Sequence, residues 1–173
     1  MSELTLTRET RFRDGSGHVM SFCDMAEKII AWIAKEPQKE YVLAIGTDSQ
    51  TYDETKIVLA VIVHRLHSGG IFFVRTMYHE AFRKGQLQYK LHTETQVSLD
   101  AADLLLEALL ERNFDITRAD SNVHLTVHID VGTNGPTSQY IRELEGWVRA
   151  MGYDCEIKPA SYAASTIADR CSK

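Results

Sequence analysis

The sequence contains little cysteine and no long apolar run, and each absence excludes a class of protein. The three cysteines (Cys23, Cys155 and Cys171) show no CxxC spacing, so neither a disulfide framework nor a cysteine zinc site is predicted. No apolar run approaches the roughly 18 residues that a membrane helix needs, and the first residues lack the basic and apolar regions of a signal peptide. We therefore expect a cytoplasmic protein with free thiols and no membrane contact.

The sequence also lacks an excess of positive charge, since its net charge is -5. Binding to nucleic acid through bulk charge alone is therefore disfavoured. A nuclease is not excluded, because a metal site itself collects acidic residues and its ions reverse the local field. Two segments carry local groups of basic residues, which are Arg83, Lys84 and Lys90 in one and Arg142, Arg149 and Lys158 in the other. The simpler interpretation of both is scattered, solvated charge.

The length of 173 residues, with 44% hydrophobic and 25% charged residues, is ordinary for one globular domain with a sizeable core. No repeat, low-complexity tract or linker marks an internal boundary. We therefore predict a single domain over residues 1–173. Within it, residues 1–20 are polar and are expected to form an irregular N-terminal arm with room for a short strand.

Apolar periodicity predicts a helix over residues 22–35 that ends before Pro37. Three strands follow, and their short connections imply an antiparallel meander. These strands are expected over 41–47, 56–65 and 71–78. The second half is expected to contain a helix over 92–112, a strand over 123–130, a helix from Pro136 to Met151, a strand over 153–158 and a last short helix over 160–170. Because strands alternate with helices there, parallel pairing is expected. The predicted fold is α/β, a mixed five-stranded sheet in the order βββαβαβα with helices on both faces, preceded by an N-terminal helix.

Two aspartates are placed at predicted strand ends, and a glutamate lies on the apolar stripe of the helix between them. Asp48 follows the first strand of the meander, and Asp130 follows the fourth strand. Glu94 shares a helix stripe with Val97 and Ala101, where an apolar residue would be expected. If the first and fourth strands are adjacent, the two aspartates leave the sheet side by side. Carboxylates brought from separate elements to one rim suit a hard divalent cation such as Mg²⁺.

Each of these acidic residues also has a purely structural explanation. Asp48 would form local hydrogen bonds in a turn, Glu94 would favour the first turn of its helix through the dipole, and Asp130 would cap the following turn. Asp169, in the last predicted helix, is a fourth candidate that would otherwise pair with a neighbouring basic residue. The combination of acids on three separate elements favours the metal site over these separate explanations.

The segments around these acids resemble those of a known family. The motifs IGTDSQ, HTET, HIDVG and KPASYAASTIADRCSK, spread over about residues 22–173, are similar to those of the YkuK family of ribonuclease H-like proteins. The resemblance implies the ribonuclease H-like fold, in which an Asp, a Glu, an Asp and often a further Asp hold two Mg²⁺ or Mn²⁺ ions. Matched by motif, those ligands are Asp48, Glu94, Asp130 and Asp169. Because one fold hosts many functions, the resemblance supports the fold more firmly than the activity.

The leading hypothesis is metal-dependent hydrolysis of a nucleic-acid phosphodiester, with two ions about 3.5–4 Å apart beside the scissile phosphate. Asp48 and Asp130 would be the direct ligands, and Glu94 and Asp169 would complete the coordination shells of the two ions.

Further residues are assigned weaker roles in the same hypothesis. Lys158 or His92 would orient water or shuttle a proton. Arg83, Lys84 and Tyr89 would contact the substrate backbone, unless residues 80–90 form only a surface loop. RNA, DNA and a hybrid are all retained as substrates, and a homodimer is also considered.

Two other functions are retained as alternatives. The segment from Asp130 to Gly135 resembles the Asp-x-Gly-Thr phosphate turn of actin-like ATPases, and a helix N-terminus after it would receive a phosphate. That family, however, needs two such domains and a far longer chain. The other alternative is a non-catalytic binding or scaffold module with a vestigial acid cluster. His124 and His128 on one strand face make only a weak case for zinc.

Overall fold

The computed structural model describes residues 4–163. Its strands are β1 (Phe12–Asp14), β2 (Val19–Met20), β3 (Tyr41–Thr51), β4 (Glu54–Arg65), β5 (Gly70–Glu80), β6 (Val123–His128) and β7 (Asp154–Glu156). Its helices are α1 (Phe22–Ala34), α2 (Leu87–Glu111) and α3 (Ile141–Ala150), and α3 continues from a 3-10 helix over Pro136–Tyr140. The strands form one sheet in the order β2-β1-β5-β4-β3-β6-β7.

The long strands pair as the apolar runs predict. β3, β4 and β5 form an antiparallel meander, because only short turns connect them. β6 joins the other edge of β3 in parallel, and β7 joins β6 in parallel. A helix precedes each of these two strands, as parallel connections require. β3 and β6 are therefore neighbours, which is the condition for Asp48 and Asp130 to leave the sheet side by side.

One face of the sheet carries the main core. The odd-numbered side chains of β3 and β4, such as Leu43, Ile45 and Leu59, are fully buried against the apolar stripes of the three helices. α1 is fixed at its start by a reciprocal capping box, in which Ser21 and Asp24 each accept a hydrogen bond from the other's backbone N–H. Since α1, α2 and α3 all contribute to this one core, they lie on the same face.

The other face of the sheet carries the even-numbered side chains. Ala44 and Ile62 pack there with Tyr162 and Ala163, close to the end of the described chain. Helices were expected on both faces of the sheet. On this face, the expected helix is the one predicted over 160–170. Most of that helix lies outside the described residues.

The prediction of an α/β ribonuclease H-like fold is confirmed, but the sheet has seven strands rather than five. The N-terminal arm adds β1 and β2 beyond β5. These strands have three and two residues, too few for an alternating pattern to be recognised.

Two element boundaries also bear on the acidic residues. β3 continues to Thr51, so that Asp48 lies inside the strand, level with Val58 of β4, and not at its end as expected. α2 begins at Leu87, so that Glu94 lies beyond its first turn. The helix dipole acts mainly within the first turn, and it therefore does not explain why a glutamate is found at this position.

Cys23 and Cys155 are free thiols, as expected, and Cys171 lies outside the described residues. None of the helices in the described part of the chain has the length and apolarity that crossing a bilayer requires.

Candidate metal centre

Asp48 and Asp130 lie at the same level of the sheet. The parallel register places Gly46 of β3 level with His128, the last residue of β6. Asp48 lies two residues after Gly46, and Asp130 lies two residues after His128. Two backbone hydrogen bonds hold the chain after β6 beside the chain at the end of β7. Ile129 N–H donates to the Glu156 carbonyl, and Lys158 N–H donates to the Val131 carbonyl. The segment that carries Asp130 is thereby fixed beside the outer part of β3.

Glu94 lies on the buried stripe of α2, as predicted, and is 6% exposed. Its Oε1 accepts a hydrogen bond of 2.5 Å from Ser49 Oγ, and the Lys90 ammonium group lies 3.8 Å from the same oxygen. Burial raises the pKa of Glu94 to about 7, against the opposing influence of Lys90 and Ser49, and the charges of Asp48 and Asp130 raise it further. The charges of Asp48 and Asp130 therefore reach the Glu94 carboxyl group.

Two hydroxyl residues of β3 attach α2 at this level. Thr47 Oγ1 donates to the backbone carbonyl of Glu94 at 3.1 Å and lies 3.5 Å from the Ser98 hydroxyl. Thr47 and Ser49 occupy the odd positions that face the helices, where Leu43 and Ile45 precede them. Sequence reasoning missed both residues, although the change from apolar to hydroxyl side chains along one strand face was a usable signal.

Asp130 lies beside Lys158, for which the sequence predicts a role in orienting water, shuttling a proton or contacting substrate. Lys158 Nζ is 2.7 Å from Asp130 Oδ1. Asp130 Oδ1 is buried and, within residues 4–163, accepts no hydrogen bond of ordinary geometry. This oxygen therefore retains capacity for a further ligand.

The structure does not assemble all four predicted ligands. Within the described residues, no group of three or more His, Cys, Asp or Glu side chains is in position to hold a metal ion. Asp169 lies outside the described residues. The structure thus places Asp48, Glu94 and Asp130 on one rim of the sheet, but it does not show a completed metal centre.

The residues expected to contact the substrate are spread around α2. Arg83 and Lys84 are exposed in the turn that precedes the helix, and Tyr89 is 52% exposed in its first turn. His92 points away from Glu94, since two residues correspond to about 200° around a helix. Its Nε2 lies 2.7 Å from the Glu143 carboxylate, and its ring contacts Trp147 of α3.

His128 connects the start of the C-terminal segment to β6, close to Asp130. It is buried two residues before Asp130, and its Nδ1 accepts a hydrogen bond of 3.0 Å from Ala163 N–H. Its ring also packs edge-on against Tyr162. Burial lowers the pKa of His128 to about 4, so that it is neutral at pH 7. This contact fastens the start of the C-terminal segment to β6.

The turn between Gly132 and Pro136 does not lead directly into an α-helix. The expected helix from Pro136 to Met151 is instead a five-residue 3-10 helix followed by α3. Gly132 N–H donates to the Thr137 hydroxyl within the turn. The helix N-terminus on which the phosphate-binding alternative relied is therefore the start of a 3-10 helix and not of an α-helix.

Comparison with known proteins agrees with this fold. The model of the family described as Ribonuclease H-like matches residues 24–173. The chain is also 35% identical over 160 residues to the uncharacterized protein YkuK of Bacillus subtilis (strain 168), and the match covers 89% of this chain and 92% of that protein. No solved structure matches the chain significantly. The chain therefore belongs to the ribonuclease H-like family.

Proposed function

We propose that this protein is a metal-dependent nuclease that hydrolyses phosphodiester bonds of nucleic acid. Its two Mg²⁺ or Mn²⁺ ions would be held by Asp48, Glu94, Asp130 and Asp169. The observation that carries the proposal is the burial of Glu94 within the field of two further carboxylates, which raises its pKa to about 7. Perturbed acidic groups of this kind are concentrated at functional sites. A bound divalent cation would offset the cost of ionising all three.

The chemistry of the donor set fits Mg²⁺ or Mn²⁺. Asp48, Glu94 and Asp130 offer hard carboxylate oxygens, which these ions prefer to sulfur or imidazole ligands. Asp130 Oδ1 accepts no hydrogen bond of ordinary geometry from any residue in the range 4–163, even though the Lys158 ammonium group is close. A metal ion at this oxygen would share it with the Lys158 ammonium group or displace that group.

Bound Mg²⁺ or Mn²⁺ ions supply an activated water and stabilise the charge on the leaving oxygen. The protein residues would keep the ligands in place. Ser49 orients the Glu94 carboxylate, and Thr47 fixes the backbone of α2 at the same level. Lys158 pairs with Asp130, and because its side chain is about half exposed, its ammonium group can also approach a substrate phosphate.

The basic residues before α2 provide the substrate contacts in this proposal. Arg83 and Lys84 are exposed at the end of α2 that is nearer to Glu94. They would attract the phosphate backbone locally, although the whole chain is acidic.

One observation favours the alternative of a non-catalytic module. Lys90 lies 3.8 Å from Glu94, and Lys158 lies 2.7 Å from Asp130. Two of the acids thus already have cationic partners within the protein. In the proposed nuclease, the ions must compete with these lysines.

The proposal is tested by titration calorimetry with Mn²⁺ and by cleavage of labelled RNA, DNA and hybrid. The wild type is compared with a double variant, Asp48→Asn with Asp130→Asn. Asp53→Asn is the matched control, because Asp53 is exposed in the turn between β3 and β4. We expect the wild type and the control to bind the ion and to cleave at least one substrate. The double variant should do neither.

Three results would contradict the proposal. If the wild type binds no Mn²⁺ at millimolar concentration, the chain has no metal centre. If it binds Mn²⁺ but cleaves none of the substrates, the non-catalytic alternative is favoured. Cleavage that persists in the double variant would assign activity to other residues.

A further inference from the structure

A groove of about 530 Å³ opens on the side of α2 that faces away from Glu94. It lies between the N-terminal residues 4–6, α2 and α3. We call it the aromatic groove, and its defining residues are His79, Tyr89, His92, Gln96, Asp100 and Trp147. None of these residues belongs to the proposed metal centre.

The rings that line the aromatic groove meet one another at steep angles, whereas His79 stacks on Phe82 at 4.8 Å and Phe82 in turn meets Tyr89 edge-to-face at 5.5 Å. His92 meets Trp147 edge-to-face at 5.5 Å, and His79 is tilted by 59° to Tyr89 at 6.1 Å. Tyr89 is also more than half exposed. An exposed aromatic side chain such as Tyr89 offers a surface on which an unpaired nucleobase can stack.

Asp100 and Gln96 supply acceptors of hydrogen bonds to the groove. Gln96 Nε2 donates to Asp100 Oδ1 at 2.8 Å. The other Asp100 carboxylate oxygen and the Gln96 amide oxygen remain as acceptors. His92 takes no part in the contact between Gln96 and Asp100, because its Nε2 lies against the Glu143 carboxylate. The Asp100 carboxylate disfavours a phosphate at this point of the groove, whereas it complements the exocyclic amino group of adenine, cytosine or guanine.

The aromatic groove and the candidate metal centre share the N-terminal part of α2. Tyr89 borders the groove, and the next residue, Lys90, reaches to 3.8 Å from Glu94 Oε1. The two sites are therefore separated by about one helix diameter, or roughly 10 Å. Arg83 and Lys84 are exposed in the turn just before this part of the helix. A strand that crosses the start of α2 would pass its phosphates beside these basic residues.

We propose that the aromatic groove binds an unstacked nucleobase with an exocyclic amino group, presented by a single strand of nucleic acid. This inference rests on the proposed nuclease function and names its substrate class. The base stacks on Tyr89 and Trp147, its amino group donates to Asp100, and the strand continues over the start of α2 toward the acidic rim. A paired base would not enter, because its amino group and both of its faces are already engaged.

The test uses the fluorescence of Trp147. The chain has two tryptophans, so the variant Trp32→Phe leaves Trp147 as the single reporter. Asp48→Asn is added, and the titrations are made in a chelator, so that neither metal binding nor cleavage is needed. Oligodeoxycytidylate should quench the emission at about a tenfold lower concentration than oligothymidylate of equal length, which is the effect of one hydrogen bond to a charged group. An abasic strand should not quench.

Two substitutions locate the base. Tyr89→Ala should weaken the oligodeoxycytidylate titration by about tenfold, as expected for the loss of one stacking partner. Tyr52→Ala is the matched control, because Tyr52 is 79% exposed in the turn between β3 and β4 and should have no effect. Asp100→Ala should abolish the preference for cytosine over thymine while quenching continues.

The proposal is overturned if the abasic strand quenches equally, or if cytosine and thymine strands are equivalent in the parent protein. Quenching by cytidine monophosphate at the same nucleotide concentration would show that no strand is required and would overturn the assignment to single strands. Tighter binding of a duplex would also overturn it. If the wild type cleaves nucleic acid but no strand quenches Trp147, only the proposal for the aromatic groove is contradicted. If strands quench Trp147 but the wild type cleaves none of them, only the proposed nuclease function is contradicted.

Discussion

Ser49 donates a hydrogen bond of 2.5 Å to Glu94 across the interface between β3 and α2. Both side chains are at least nine-tenths buried. A buried carboxylate needs such donors, because it loses its hydration when the protein folds. This contact links the position of a strand residue to the orientation of the glutamate on which the proposed metal centre depends.

Removing this donor should destabilise the protein. Ser49→Ala leaves the Glu94 carboxylate buried with one donor fewer, and we expect the free energy of unfolding to fall by about 1–3 kcal/mol. Denaturant unfolding at pH 8 in a chelator measures the change. Ser68→Ala, in the exposed turn between β4 and β5, should have almost no effect. Equal stability of Ser49→Ala and the wild type would show that the hydrogen bond does not stabilise the buried carboxylate.

Glu94 should make the metal-free protein less stable as pH rises. Its pKa is about 7 in the folded protein, compared with an ordinary value of 4.5. Between these values the folded state binds more protons than the unfolded state, so stability falls with increasing pH and levels off above about pH 7. The loss is on the order of 3 kcal/mol for one group.

The variant Glu94→Gln isolates this effect, because the amide does not titrate. In a chelator, the free energy of unfolding of Glu94→Gln relative to wild type should increase between pH 4.5 and about 7. Chemical denaturation at several pH values measures the difference. A difference that is constant with pH would mean that Glu94 titrates normally and is not perturbed by burial.

Divalent ions should stabilise the wild type by binding the folded state alone. At an ion concentration about one hundred times Kd, the free energy of unfolding should increase by about 2.7 kcal/mol. Removing the ion with a chelator should reverse the gain. Asp53→Asn should retain the gain and Asp48→Asn should lose most of it. A thermal melt with and without Mn²⁺ measures each case, and equal stabilisation of both variants would argue against Asp48 as a ligand.

His128 should support the C-terminal segment through its ring acceptor. His128→Phe removes the acceptor for Ala163 N–H and should lower the free energy of unfolding by about 1–3 kcal/mol. His128→Asn places an amide oxygen near the same position and should recover part of that loss. If the two variants are equally stable, the hydrogen bond to Ala163 is not what matters at this position.

His128 also has a pH dependence of its own. Its pKa is about 4 in the folded protein, below the ordinary 6.5, so the unfolded state binds more protons between these values. The contribution of His128 to stability is therefore present above pH 6.5 and is lost as pH falls toward 4. The difference between wild type and His128→Phe should follow this direction in denaturant titrations.

The sequence predicted the main elements because long strands and helices carry strong periodic signals. The continuous apolar run of β4 and the stripe of α2 containing Glu94 both identified their elements correctly. The N-terminal arm, expected to leave room for one short strand, contains two, because β1 is stabilised by pairing with β2 and β5 and neither strand has a pattern of its own. The end of β3 was placed too early, because Asp48 and Gln50 have low strand propensity that the partner strand overrides.

The candidate site was predictable only where a residue contradicted its local pattern. Glu94 was recognisable because it replaces an apolar residue on a helix stripe. Ser49 and Thr47 were not, because their roles depend on which turn of α2 lies across from them. The aromatic groove likewise combines residues of β5, α2 and α3, and such long-range placement has no signature in a single sequence.

Glu94 and His128 lie on opposite faces of the sheet, and the pKa of one is raised while the pKa of the other is lowered. The two groups therefore exchange protons in opposite directions when the chain folds. Between pH 4.5 and 6.5, folding of the metal-free chain takes up protons at Glu94 and releases protons at His128. The two exchanges with the buffer oppose each other, so the effect of Glu94 on stability over this range is partly offset by that of His128. Loading with a divalent ion would end this offset, because coordinated carboxylates release their protons.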